Sequence, residues 1–101
     1  MLRQCILKGM KTYLLLTEWT LRTGDHGYET EILSNFDLAR IHMKREIRNA
    51  RADYSGDGIV EDTVDVDSIA EPQDISWSIW EDGNYLNHHC TISLIEHDVI
   101  E

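Results

Sequence analysis

The chain has 101 residues, 42% of them hydrophobic, with two cysteines; that is enough apolar content for one core and too little cysteine for a disulfide scaffold. No apolar run approaches the ~18–20 residues of a membrane span, and Lys8 interrupts the short apolar start that a secretory signal needs. Charge is lopsided: residues 1–52 carry all nine Lys and Arg against six acids, net +3, and residues 53–101 carry thirteen acids and neither Lys nor Arg, net −13. These features point to a soluble cytoplasmic protein. Its acidic half argues against direct binding to nucleic acid or to an anionic membrane, because like charges repel and no counterions are released. A protein with a basic surface, or a cation, is the expected partner.

Residues 1–9 read as a flexible N-terminal tail or a start-site artefact, since Met10-Lys11-Thr12 serves equally well as a start. Residues 10–101 then form one domain. Thr12–Thr23 alternates, with Tyr13, Leu15, Trp19 and Leu21 on one parity and Glu18, Thr20 and Arg22 on the other. That predicts a strand with one buried face. Gly24-Asp25-His26-Gly27 has the composition of a turn, with a positive φ open to both glycines. Tyr28–Leu33 returns as a short edge strand carrying Glu29 and Glu31.

Ser34 is placed to cap a helix, with Asp37 suiting its positive end. Phe36, Ala39, Met43, Ile47, Ala50 and Tyr54 recur at helical spacing, which predicts a helix to about Asp53 or Tyr54 with one apolar stripe on the sheet. Arg40, Lys44, Arg48 and Arg51 make a basic row beside that stripe. Residues 55–74 read as irregular and acidic, with a short strand at Thr63–Asp67. Ile75–Trp80 and Tyr85–Glu96 flank Asp82-Gly83, the favoured centre of a type I′ hairpin. A two-residue turn there pairs Ile79 with Leu86, Trp77 with His88 and Ile75 with Cys90 on the apolar face. Trp80 then pairs with Tyr85, Ser78 with Asn87 and Ser76 with His89 on the other. The order β(β)αββ predicts a two-layer α+β domain: one helix on a mainly antiparallel sheet ending in a C-terminal β-hairpin.

Three sets of residues bear on chemistry. Asp53, Ser55, Asp57 and Gly58 fall in the spacing of oxygen ligands and turn glycine, with Glu61 at the ninth place. This run resembles the front half of an EF-hand calcium loop. It departs from that pattern at the twelfth place, where Val64 stands instead of a bidentate Glu, and no second helix is legible. The resemblance implies a weak calcium site on Asp53, Ser55, Asp57 and Glu61. His88, His89 and Cys90 look like metal ligands as a string. On a strand, however, His89 points away from the other two, and two ligands fall short of a structural zinc site. Cys90 on the core face reads as an inert thiol, with His88 beside Trp77.

No nucleophile elbow, phosphate loop or His-Glu-x-x-His is present, so the expected function is non-enzymatic. The candidate partner surface is acidic and partly aromatic: Glu61, Asp62, Asp65, Asp67, Trp80, Glu81, Asp82 and Tyr85. In size and charge the chain resembles small phage-type inhibitors of the anti-CRISPR and anti-restriction kind, which implies occupation of a basic, nucleic-acid-handling protein. The same acids have a plainer use, as counterions of the basic helix row.

Overall fold

The computed structural model describes residues 11–21, 23–54, 58–81 and 84–98, the last span without the side chains of 84–87. The expected tail at 1–9 lies outside the described residues. Strands β1 (Lys11–Thr20) and β2 (His26–Leu33) precede helix α1 (Phe36–Asp53); β3 (Ile59–Glu61), a 3₁₀ turn (Val66–Ser68), β4 (Ile75–Glu81) and β5 (Asn84–Asp98) follow. The strands form one antiparallel sheet in the order β2-β1-β5-β4-β3. The long β5 is central, pairing with β1 from Lys11↔Asp98 to Thr20↔His89 on one side and with β4 on the other. This is the α+β architecture that the sequence predicts.

The helical stripe forms as its spacing requires: Phe36, Ala39, Met43, Ile47, Ala50 and Tyr54 are all buried. They pack on Tyr13, Leu15, Leu33, Ile75, Trp77, Ile79, Cys90, Ile92 and Leu94, the inward parity of four strands. Leu38 and Ile41, off the stripe, are exposed. Asn35 rather than Ser34 is the cap: its side chain accepts from the Leu38 N–H at 2.8 Å. Both residues are good caps, and the one whose oxygen reaches the third helical N–H takes the place.

Two further expectations are corrected. Residues 63–65 are not a strand, and the chain makes its 3₁₀ turn at Val66–Ser68; the strand of this region is Ile59–Glu61, paired with β4. The β4–β5 register is four residues away from the two-residue-turn solution: Ile75 faces Leu94, Trp77 faces Ile92 and Ile79 faces Cys90. Likewise Trp80 pairs with His89, Ser78 with Thr91 and Ser76 with Ser93, and not with Tyr85, Asn87 and His89. Only Glu81↔Asn84 survives around Asp82-Gly83, and an irregularity between Trp80 and Glu81 absorbs the surplus of β5. Core burial decides this, because Ile92 and Leu94 are 0% exposed. Burying two such side chains is worth about 1.5–3 kcal/mol each, more than an ideal turn offers. An even shift keeps every side chain on its predicted face.

Gly24 takes the left-handed φ of 91° that the β1–β2 turn demands, but Gly27 does not and belongs to β2. Gly27 is there for a different reason. It sits across from Trp19, and a Cβ at that position would lie 2.5 Å from the indole Cζ2. The Trp19 ring therefore lies flat over a strand glycine, covering backbone that has no side chain of its own. Gly27→Val is expected to cost about 1–3 kcal/mol as an overpacked contact. Urea unfolding measures the cost, and a displaced Trp19 Nε1–H resonance locates it.

Candidate functional site

Small residues open a gap between the two layers. Thr17 on β1, Ala50 on α1 and Cys90 on β5 face one another below the C-terminal half of the helix, where larger side chains would have closed the core. The result is a groove of about 440 Å³ at the β1–β2 turn end of the sheet. Its aromatic walls are Trp19, Tyr54 and His88, and its acids are Glu29, Glu46 and Asp53. Neither Lys nor Arg lines it among the described residues.

Each wall is held in place. Tyr54 ends the helix, its N–H bonded to the Ala50 carbonyl at 2.9 Å. Its hydroxyl donates to the His89 carbonyl at 2.9 Å, and its ring stacks on His88 with centroids 4.2 Å apart. His88 Nδ1 lies 2.8 Å from Glu81 Oε2. His88 thus lies against Tyr54, not beside Trp77, because the register irregularity carries it to the groove. Glu46 is approached by the Arg45 guanidinium at 3.3 Å, whereas Glu29 and Asp53 have no ion-pair partner among the described residues.

The groove is electrically negative. Burial first, then the charges of Glu46 and Asp53, push the Cys90 thiol up to about 11. Burial first, then Cys90 and Asp53, push the Tyr54 hydroxyl up to about 12. Both groups stay neutral in the folded protein at ordinary pH, which leaves little thiolate at Cys90. A raised folded pKa contributes nothing below the unfolded value and costs stability above it, where the unfolded state alone loses its proton. Stability is therefore expected to fall above about pH 9, with Cys90 contributing on the order of 2 kcal/mol by pH 11. Urea unfolding from pH 8 to 11 tests this, and Cys90→Ala flattens the slope.

The residues singled out from sequence are distributed differently. Of the calcium-like run, Asp53 is exposed on the groove, Gly58 takes a left-handed φ of 77°, and Glu61 accepts from Arg51 Nε at 2.8 Å. Ser55 and Asp57 lie outside the described residues. No group of three His, Cys, Asp or Glu poised to hold a metal occurs among the described residues. Of the acidic surface, Asp67 takes Lys44 Nζ at 2.7 Å and Asp65 accepts from the Asp67 N–H at 3.1 Å. Asp62 is half-buried, with its N–H on the Ser78 carbonyl at 2.9 Å. Arg40 adds a bond to the Ile69 carbonyl at 2.8 Å. The basic row thus pins the 59–69 segment to the helix, the structural use that the sequence allows. Trp80 lies half-buried on the uncovered face opposite His89, and Glu81 holds His88. Asp82 and the Tyr85 side chain lie outside what is described.

Sequence reasoning missed the groove because its residues come from four elements. One signal was available: Asp53 stands in the last turn of a helix, where the dipole disfavours an acid. No described helix is long and apolar enough to cross a membrane. Fold and groove together define an α+β protein, one helix on a five-stranded antiparallel sheet, with an acidic aromatic groove at one end. Comparison with protein families, with curated proteins and with solved structures finds no match to this chain.

Proposed function

We propose that this is a non-enzymatic binding protein that captures a basic protein by taking a Lys or Arg side chain into the groove. The observation that carries the reading is the pairing of an aromatic wall, Trp19 and Tyr54, with Glu29 and Asp53, two carboxylates that no described cation neutralises. Ring faces and carboxylates attract the same ligand, an organic cation, and reject anions. The net charge of −10 adds long-range attraction to basic partners. Proteins that handle nucleic acids present such surfaces, so inhibition of one of them is the favoured biological outcome. The 59–69 acids contribute less to this reading than their number suggests, because Glu61 and Asp67 already hold Arg51 and Lys44.

The test is a titration of the ¹⁵N-labelled protein with Nα-acetyl-arginine methylamide and with its citrulline isostere. The arginine ligand is expected to move the Trp19 indole and the amides of Asn49, Asp53 and Cys90, with a dissociation constant of about 1 mM, or about −4 kcal/mol. Raising the salt to about 1 M, where screening shortens to about 3 Å, weakens it. Equal shifts with citrulline would remove the charge argument, and shifts confined to other residues would remove the groove.

A further inference from the structure

We propose that the segment supplying this cation binds as an added strand on the open edge of β2. The proposal rests on the groove reading for its cationic residue and on the sheet for everything else. Among the described residues, strand order puts β2 at the margin, bonded to β1 on one side only. Alternate residues of an edge strand direct their N–H and C=O groups outward, a template for another backbone. The edge is unusually inviting. It runs for eight residues with no proline, and its register with β1 is continuous from Thr20↔His26 to Tyr13↔Leu33. Tyr28 and Ile32, on its uncovered side, are 71% and 74% exposed. The helix lies over β1 and β5 more than over β2, which leaves room on the covered side for a further strand.

The two sides of β2 define the ligand. On the helix side Glu29 lines the main groove and also a smaller depression of about 170 Å³ that continues along the strand to Glu31 and Arg45. A residue added opposite Glu29 therefore points its side chain at the groove. Two positions along, Glu31 is already held by His42 at 2.8 Å and Arg45 at 3.1 Å, so a second cation is not called for there. On the uncovered side the positions opposite Tyr28 and Ile32 favour apolar residues, by cross-strand contact. The chemistry recognised is an extended peptide with an apolar residue, an adjacent Lys or Arg, and a second apolar residue three places beyond the cation. A second copy of this chain does not fit, because pairing β2 with itself adds no cation for Glu29 and brings together two chains of net charge −10. Charge complementarity selects a basic strand.

The probe is an antiparallel peptide about seven residues long, the span of a short strand, with Val opposite Tyr28 and Ile32 and Arg opposite Glu29. It is compared, on the full chain, with a version N-methylated at the amides that face β2 and with a version carrying citrulline for Arg. The parent is expected to slow amide exchange at alternate residues of 26–33, and N-methylation to weaken binding by about tenfold as the ladder bonds are lost. If the N-methylated peptide binds as well as the parent, the added strand is overturned and the groove reading stands on the citrulline loss. If the citrulline peptide binds as well while exchange at β2 is still slowed, the added strand stands and the groove reading falls. Absence of parent binding, or a doubling of the mass of the free protein through β2, overturns the proposal.

Discussion

Trp77→Ala is expected to cost about 3–5 kcal/mol, the range for emptying a buried aromatic site. Trp77 is 0% exposed on the helix-facing side of β4, opposite Ile92 and packed among Met43, Ile79 and Leu94. Truncation removes the indole and leaves a cavity between helix and sheet that the surrounding structure fills only in part. The Arg51 guanidinium, 5.7 Å from the ring centroid, also loses its aromatic face. That contact is worth about 0.5–1 kcal/mol at a partly exposed site. A small domain has about 5–15 kcal/mol in all, so the variant is close to unfolding. Its melting temperature is expected to fall by at least about 12 °C, taking about 4 °C or more per kcal/mol. Urea unfolding followed by far-ultraviolet circular dichroism gives the number without relying on tryptophan emission. Trp77→Phe is expected to lose less than half as much. The indole Nε1 is buried with no hydrogen-bond partner among the described residues, so its removal orphans none of them. A cost below about 1 kcal/mol for the Ala variant would contradict the place of Trp77 at the centre of the core.

What the sequence made legible was what one element decides by itself. The stripe from Phe36 to Tyr54 is set by a repeat of 3.6, and all six of its residues are buried as their spacing demands. The faces of the last two strands were legible for the same reason: parity survives any even slip. The register itself was not. It is settled by a contest between the Asp82-Gly83 turn, which local sequence shows, and the burial of Ile92 and Leu94 between β1 and β4, which only the assembled sheet shows. Ile59–Glu61 was missed because three residues after Gly58 carry no alternation; they become a strand only by pairing with β4. The acids of 61–67 had two readings, and contacts from Lys44 and Arg51 favour the structural one for two of them. Beyond the acid at Asp53, the groove left no mark on the sequence, since its open space is made by what is small: Thr17, Ala50 and Cys90. Space left between layers has no signature in one dimension.

Reversing two charges, Glu29→Lys with Asp53→Lys, is expected to abolish cation binding and leave the fold as stable or more so. At a separation of about 5 Å each unit charge counts for about 1–3 kcal/mol against a guanidinium, at effective dielectrics between water and protein surface. Losing two attractions and gaining two repulsions therefore removes more than about 3 kcal/mol, over a hundredfold in affinity. Stability moves the other way. Asp53 is the last residue of α1, at the negative end of its dipole. Lys there is favoured by about 0.3–1 kcal/mol, and the net charge of −10 falls in magnitude. Glu29 is exposed and opposite Thr17, with no ion pair to break among the described residues. Opposite signs separate the two uses of a carboxylate. A structural acid takes stability with it when it is reversed; an acid kept for a ligand takes only binding. Urea unfolding and the arginine titration on the same double variant read both signs. A loss of more than about 1 kcal/mol in stability would make these acids structural, and retained arginine binding would place the cation elsewhere.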